Sequence, residues 1–150
     1  MDNAHSVETF LFTDIEGSSR LWEREPARMQ VALARHDALA RRTVEERGGT
    51  IVKMTGDGMC AVFGDPRDAI DATLAFLRGL AEPAAGDACE LKARCGIHVG
   101  TAQARDNDYF GPSVNRAARI MSAAHGGQVL MSRAVVEHAR DRLDADVTLV

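Results

Sequence analysis

VETFLFTDIEGSS, residues 7–19, holds the clearest strand signal in the chain. Its first half, Val7 to Phe12, is rich in apolar and β-branched residues, which favour a buried strand. At Thr13 and Asp14 the pattern changes to the polar, glycine-containing run 16–19, which is typical of a turn. The stretch therefore predicts a strand that delivers the Asp14 carboxylate to one edge of a sheet.

Outward from this strand, helical and strand-like patterns alternate to the end of the chain. The Asp-Gly pair at 57–58 lies between two strand-like runs and indicates a hairpin. Asp65 stands where it can cap the helix that follows. The predicted helices are 26–47, 65–80, 111–124 and 132–143, and the predicted strands after the first are 50–54, 59–63, 91–99, 128–131 and the apolar stub 147–150. The order β-α-β-β-α-β-α-β-α-β predicts a mixed sheet with helices packed on one face.

Size and charge restrict the class of protein. The chain has 150 residues, of which 45% are hydrophobic, enough for the core of one domain. Its apolar runs are too short to span a bilayer, and residues 1–5 do not resemble a signal peptide, so a cytoplasmic location is expected. The net charge is −4, with both signs interspersed, which argues against nucleic acid as a partner.

The three cysteines Cys60, Cys89 and Cys95 form no C-x-x-C pair. An odd number of cysteines also argues against a disulfide framework. Because Cys60 and Cys95 lie within apolar runs, we expect both to be buried free thiols.

Asp14 and Asp57 each stand in a polar turn beside an apolar strand. If folding brings them to one edge of the sheet, their carboxylates form a site for a hard divalent cation. Taken singly, each is also compatible with an ordinary turn residue or helix cap.

Two further segments contain candidate ligands for a phosphorylated substrate. Gly17 and Ser18 can present backbone N–H groups to phosphate oxygens, although the segment lacks the lysine of a P-loop. Asn115 and Arg119 are four residues apart on a predicted helix and share one face, where a ribose and a phosphate can be contacted together. A solvated helix face explains the same spacing.

Four motifs together resemble the successive motifs of class III nucleotidyl cyclases, the adenylate and guanylate cyclases, and are most like those of bacterial adenylate cyclases. They occur in the family's order, cover nearly the whole chain, and read FTDIEGS (12–18), KMTGDG (53–58), RCGIHVG (94–100) and DYFGPSVNRAAR (108–119). Each motif is short, but four of them at compatible spacing make a specific match.

The resemblance implies an α+β fold, a ferredoxin-like sandwich with a mixed, mainly antiparallel sheet and helices packed on it. It also implies a head-to-tail homodimer with active sites at the interface. Two Mg²⁺ or Mn²⁺ ions per site would be held by Asp14, Asp57 and the backbone carbonyl of Ile15. The expected reaction is conversion of ATP to 3′,5′-cyclic AMP and pyrophosphate.

The resemblance also assigns roles in substrate binding. Lys53 and Asp108 match positions that read the base, where an ammonium donor and a carboxylate acceptor suit adenine and oppose guanine. Asn115 would orient the ribose, and Arg119 would stabilise charge on the α-phosphate. The remaining positions assigned to substrate binding are Phe12, Gly17, Ser18 and Arg94, the last as support for the triphosphate.

The family pattern is incomplete at the carboxyl end. Members usually continue with another hairpin that carries a lysine or arginine for the terminal phosphates. Residues 1–150 are therefore expected to form one catalytic domain without that hairpin and to bind phosphate more weakly.

Three alternative functions remain open from the sequence. The first is a weakly catalytic, cyclase-like module for dimerisation or nucleotide sensing, and the second is a guanylate cyclase. The third is another metal-dependent nucleotidyl transferase built on a similar sheet, such as a cyclic dinucleotide synthase, although the Gly-Gly-Asp/Glu-Glu-Phe signature expected of that group is absent.

Overall fold

A computed structural model describes residues 4–83 and 89–140 of the chain. In chain order its elements are β1 (Ala4–Ile15), α1 (Ser18–Arg24), α2 (Pro26–Glu46), β2 (Thr50–Met54), β3 (Gly58–Phe63), α3 (Pro66–Ala81), β4 (Ala93–Arg105), β5 (Asp108–Phe110), α4 (Pro112–Ser122), β6 (Val129–Met131) and α5 (Arg133–Ala139). The predicted stub 147–150 and the end of the predicted last helix lie outside the described residues.

The described strands form a single mixed sheet in the order β2-β3-β1-β4-β5, with β6 also beside β4. Every pairing is antiparallel except that of β4 with β6. The long central pair β1 and β4 runs in continuous register from Ala4 opposite Ala104 to Ile15 opposite Ala93. The predicted α+β class with a mainly antiparallel sheet is confirmed.

One sheet face packs against α2, α3 and α5, and we call it the α3 face. Alternate residues of each strand point to it because side chains in a strand have a period of two. Its core joins Leu11 and Ile97 of the central strands to Phe76 of α3 and Val135 of α5. This is the largest of the three described hydrophobic clusters, and its burial stabilises the sheet.

The opposite face, the α4 face, is covered in part by α4. Phe10, Val62 and Ala102 form its core with Ala117 of that helix. The predicted packing of helices on one face is therefore wrong. Alternation in β1 explains the difference, since Phe10 and Leu11 are both fully buried on opposite faces and each needs a covering layer.

The connection predicted at 100–108 is instead a continuation of the sheet. β4 extends to Arg105 and pairs back with β5 through a two-residue turn. Asp106 and Asn107 both have positive φ, 53° and 61°, as a tight hairpin turn of right-handed strands requires. The hairpin carries Asp108 over the α4 face.

Two local predictions are confirmed. Residues 55–57 connect β2 and β3 as an antiparallel hairpin, and the Asp65 side chain accepts a hydrogen bond from the Arg67 backbone N–H at 2.9 Å, which caps α3.

The three cysteines are free and buried. Burial raises the pKa values of Cys60 and Cys95 to about 12, so both thiols are protonated and inert near neutral pH.

Among helices within residues 4–83 and 89–140, none combines the length and apolar composition needed to cross a membrane.

Candidate active site

Asp14 lies on the α4 face, one residue before the end of β1. Its ladder partners are Gly58 of β3 and Arg94 of β4. Phe10 and Phe12 precede it at spacings of two and belong to the cluster on that face. The side chain is 19% exposed, so its charge is only partly solvated.

The turn between β2 and β3 brings Asp57 to the same end of the sheet, because Asp57 directly precedes the ladder partner of Asp14. A side chain at Gly58 would place a Cβ 1.8 Å from the Thr13 carbonyl oxygen, so only glycine permits this approach of the strands. Ser18, the first residue of α1, donates a hydrogen bond from Oγ to Asp57 Oδ2 at 3.0 Å. Strand register thus places the two aspartates at the same end of the sheet.

Arg94 forms a two-pronged ion pair with Asp14. Its Nε donates to Oδ1 at 2.7 Å, and its Nη2 donates to Oδ2. The remaining terminal nitrogen, Nη1, donates to the Ser122 carbonyl oxygen at 3.3 Å, at the end of α4. The pKa of Arg94 is raised by the hydrogen bond to Asp14, against the effect of burial, and further by the charges of Asp14, Glu16 and Asp57.

The donor set at this end of the sheet suits a divalent cation that binds oxygen. Within the described part of the chain, no group of three or more His, Cys, Asp or Glu side chains is arranged to hold a metal ion. Mg²⁺, however, is commonly held by one or two carboxylates together with water and substrate phosphates. Asp14 and Asp57 fit that mode, and the guanidinium already seated on Asp14 marks the position as favourable for positive charge.

Lys53 and Asp108 form an ion pair across the α4 face, with Nζ 3.2 Å from Oδ2. Half of the Lys53 side chain and 30% of the Asp108 side chain are exposed. The pair joins β2 to β5, which lie at opposite ends of the strand order. Because three strands separate them in the sheet, the β4–β5 hairpin must curl over the α4 face to bring the two side chains together.

A bulge in β2 directs Lys53 to this face. Ile51 pairs with Ala61, and the next pairing is Lys53 with Cys60, so Val52 is an additional residue. Val52 packs against the α4-face cluster, and Lys53 follows it onto that same side. Regular alternation would have turned Lys53 away from Asp108.

A cavity of about 560 Å³ adjoins the pair, between β2 and the β4–β5 hairpin. Asp108 lines it together with apolar groups that include Val52, Val62 and Tyr109. Its size and mixed lining are typical of sites for small organic molecules.

Asn115 and Arg119 lie four residues apart on α4 and are both exposed. Neither side chain makes a hydrogen bond or an ion pair with the part of the chain that the structure describes. They are thus available to a ligand or to another chain, and the structure does not bring them into contact with Asp14 or Asp57.

The other predicted residues surround these groups. Ile15 ends β1, and its side chain is buried in a small cluster with Met29 and Leu91, so only its backbone is a candidate ligand. Phe12 is half-buried on the α4 face. Gly17 has φ of 68° and is the N-cap of α1, which has no side-chain cap.

Sequence reasoning missed the role of Glu16. Its Oε1 accepts a hydrogen bond from the Gly126 backbone N–H at 3.0 Å, which fastens the end of β1 to the turn after α4. Its position two residues after Asp14 could have indicated this role, because alternate residues of an extended chain project to the same side.

These motifs, their order and this geometry agree with a family model described as the adenylate and guanylate cyclase catalytic domain, which matches residues 2–148. The chain belongs to this cyclase family. The resemblance inferred from the four motifs is therefore confirmed.

Two similar proteins carry different descriptions and lengths. An uncharacterized protein of Mycobacterium tuberculosis is 35% identical over 144 residues, covering 95% of this chain and 48% of the relative. An adenylate cyclase of Podospora anserina is 33% identical over 147 residues, covering 81% of this chain but 7% of the relative. The cyclase domain thus spans about half the length of the mycobacterial relative and a small part of the fungal one.

The fold also matches a solved structure. The guanylyl cyclase Cya2 superposes with a TM-score of 0.86 at 23% identity, covering 96% of this chain and 83% of that one. At this identity the likeness shows the fold alone. The similar proteins include one named an adenylate cyclase and one named a guanylyl cyclase.

Proposed function

We propose that the chain is an adenylate cyclase that converts ATP to 3′,5′-cyclic AMP and pyrophosphate. The observation that carries the proposal is the position of Asp14 and Asp57 at the same end of the sheet, together with the Lys53–Asp108 pair on the α4 face. The two aspartates provide negative charge for cations, and the Lys53–Asp108 pair provides a hydrogen-bond donor and acceptor for a base.

The reaction is attack by the ribose 3′-oxygen on the α-phosphorus. The new O3′–P bond forms as the bond from the α-phosphorus to the bridging oxygen of pyrophosphate breaks, and the hydroxyl proton passes to water. Two divalent ions held by Asp14, Asp57 and the Ile15 carbonyl would lower the pKa of the 3′-hydroxyl and neutralise the triphosphate. Ser18 restrains Asp57 by its hydrogen bond, so this carboxylate is already oriented.

Arg119 would stabilise the charge that develops on the α-phosphate, and Asn115 would fix the ribose. A positioned donor of this kind contributes roughly 3 kcal/mol to transition-state stabilisation. Both side chains are exposed on α4, which supports their action in a site completed by a second copy of the chain. In the proposed homodimer, each site takes its aspartates from one subunit and its α4 residues, Lys53 and Asp108 from the other.

The charges of Lys53 and Asp108 favour adenine. The Lys53 ammonium donates to N1, and the Asp108 carboxylate accepts from the exocyclic amine. Guanine carries a hydrogen on N1 and an oxygen at C6, so both contacts would become mismatched. The ion pair between the two side chains keeps both of them at this place before the base arrives.

The test is incubation of the protein with ATP or GTP and Mg²⁺ or Mn²⁺, followed by chromatography of the products. Cyclic AMP is expected from ATP, and Asp57→Asn should reduce it by at least about 100-fold, because one cation ligand loses its charge. Glu45→Gln is the matched control, because it neutralises an exposed carboxylate on α2, a helix that packs against the opposite, α3 face of the sheet.

Each other outcome contradicts the proposal in a specific way. Cyclic GMP as the main product would make the chain a guanylate cyclase. Nucleotide binding without a cyclic product would make it a sensing module, and cyclic AMP formation unchanged by Asp57→Asn would refute the metal site.

A further inference from the structure

Both carboxylate oxygens of Asp14 are occupied by the Arg94 guanidinium. A divalent ion needs at least one of these oxygens. Each oxygen keeps a second lone pair, but an ion bound there would lie beside the positive guanidinium, so the ion and Arg94 disfavour each other at Asp14. The pair is only partly exposed, 28% for Arg94 and 19% for Asp14, so the interaction is less screened by water than a surface ion pair. Asp57, in contrast, accepts a hydrogen bond from the neutral Ser18 hydroxyl.

The Ser122 carbonyl holds the third nitrogen of Arg94 on the side of α4. The guanidinium therefore has a neutral partner that it can keep when its anionic partner changes. A triphosphate is an anion that can replace Asp14 as the partner of the other two nitrogens, because arginine binds phosphate and carboxylate in the same two-pronged way.

We infer that Arg94 is a positioning residue that blocks Asp14 before nucleotide binds and releases it to the metal when the triphosphate arrives. This inference rests on the proposed function and adds an order to it: Asp14 becomes a strong metal ligand only once nucleotide is present. The metal and the nucleotide then favour each other's binding through Arg94, in addition to their direct contact. Without nucleotide, the site would hold metal weakly, although both aspartates lie at the same end of the sheet.

The inference is tested on the metal alone, without nucleotide or turnover. Free Mn²⁺ is measured by electron paramagnetic resonance as the ion is titrated into the purified protein. Arg94→Gln should bind Mn²⁺ about tenfold more tightly than the original protein, since both oxygens of Asp14 are freed. Adding Asp14→Asn to Arg94→Gln should abolish the gain.

Two further variants separate contact from charge. Lys92→Gln removes one positive charge near the same strand end, and Lys92 is two residues from Arg94. It should leave Mn²⁺ affinity within about twofold of the original, because exposed charges are screened. Arg94→Lys keeps the charge without the two-pronged geometry and should show an intermediate gain. Cooperative thermal unfolding of each variant verifies that it folds, and Arg94→Lys serves if Arg94→Gln does not.

The possible failures are distinct. If Arg94→Gln and Arg94→Lys bind Mn²⁺ no better than the original while the original still forms cyclic AMP, the inference is wrong and the proposed function stands. An equal gain in Lys92→Gln would show a general charge effect and overturn the inference as well. If no variant binds Mn²⁺ and ATP is not cyclised, both fail.

Discussion

At the scale of single residues, the proposed function assigns the choice of base to the charges at positions 53 and 108. Lys53 and Asp108 lie 3.2 Å apart and present a donor and an acceptor to the same place. Exchanging the two charges reverses the pattern while keeping opposite charges in contact, so the ion pair that joins β2 to β5 is preserved.

The exchange Lys53→Glu with Asp108→Lys should convert a preference for ATP into one for GTP. The carboxylate introduced at position 53 would accept from the guanine N1–H, and the ammonium introduced at position 108 would donate to its C6 oxygen. Two mismatched hydrogen bonds per base correspond to a change of roughly 100-fold in the ratio of kcat/KM for the two nucleotides. Steady-state kinetics with both nucleotides measure this ratio, and an unchanged ratio would show that the pair does not read the base.

The identity of the candidate residues was predictable from sequence, but some of their partners were not. Asp14 and Asp57 could be found because each follows or precedes an apolar strand, and register then brings them together. Arg94 was assigned to the triphosphate, and its ion pair with Asp14 was not foreseen. That contact depends on the cross-strand register of β1 and β4, which no local pattern specifies.

At the scale of elements, the position of α4 depends on Gly96. A Cβ at this residue would lie 2.3 Å from the Met121 backbone nitrogen and 2.6 Å from its Cα. The helix backbone therefore rests directly on β4, and a side chain there would have to push it away. Asn115 and Arg119 would move with the helix.

Gly96→Ala should lower the free energy of unfolding by about 1–3 kcal/mol, the usual cost of adding volume to a tightly packed position. Gly64→Ala is the matched control, because a Cβ at Gly64 meets no atom within 4 Å. It should change stability by less than about 0.5 kcal/mol. Urea denaturation compares the two, and equal stability of both variants would show that α4 does not rest on Gly96 in solution.

The elements missed by sequence reasoning are those set by one or two residues. The Asp106–Asn107 turn has the backbone of a tight hairpin but lacks the glycine that usually signals one, so the β4–β5 hairpin was predicted as a polar connection. The bulge at Val52 adds one residue to β2 and leaves no mark in the apolar pattern. Both features direct Asp108 and Lys53 toward each other.

At the scale of the whole molecule, the sheet presents two groups of site residues on its α4 face. The first surrounds Asp14 and Asp57 at the end of β1, and the second is the Lys53–Asp108 pair reached by the curled hairpin. The order of elements predicted a mixed sheet, and the resemblance to the cyclases implied the mainly antiparallel α+β class. The curl and the covering of both faces were not, since they depend on long-range packing.

In the proposed function each active site is built from two copies of the chain, and mixing two inactive variants shows whether the copies share sites. Asp57→Asn should disable the cation site, and Arg119→Ala should disable the α-phosphate contact. Each variant alone is expected to form almost no cyclic AMP. Mixed in equal amounts, half of the randomly formed dimers would contain one intact site of two, so roughly a quarter of the original activity should return. A mixture that stays inactive while native mass spectrometry shows that the two variants have paired would rule out the shared site.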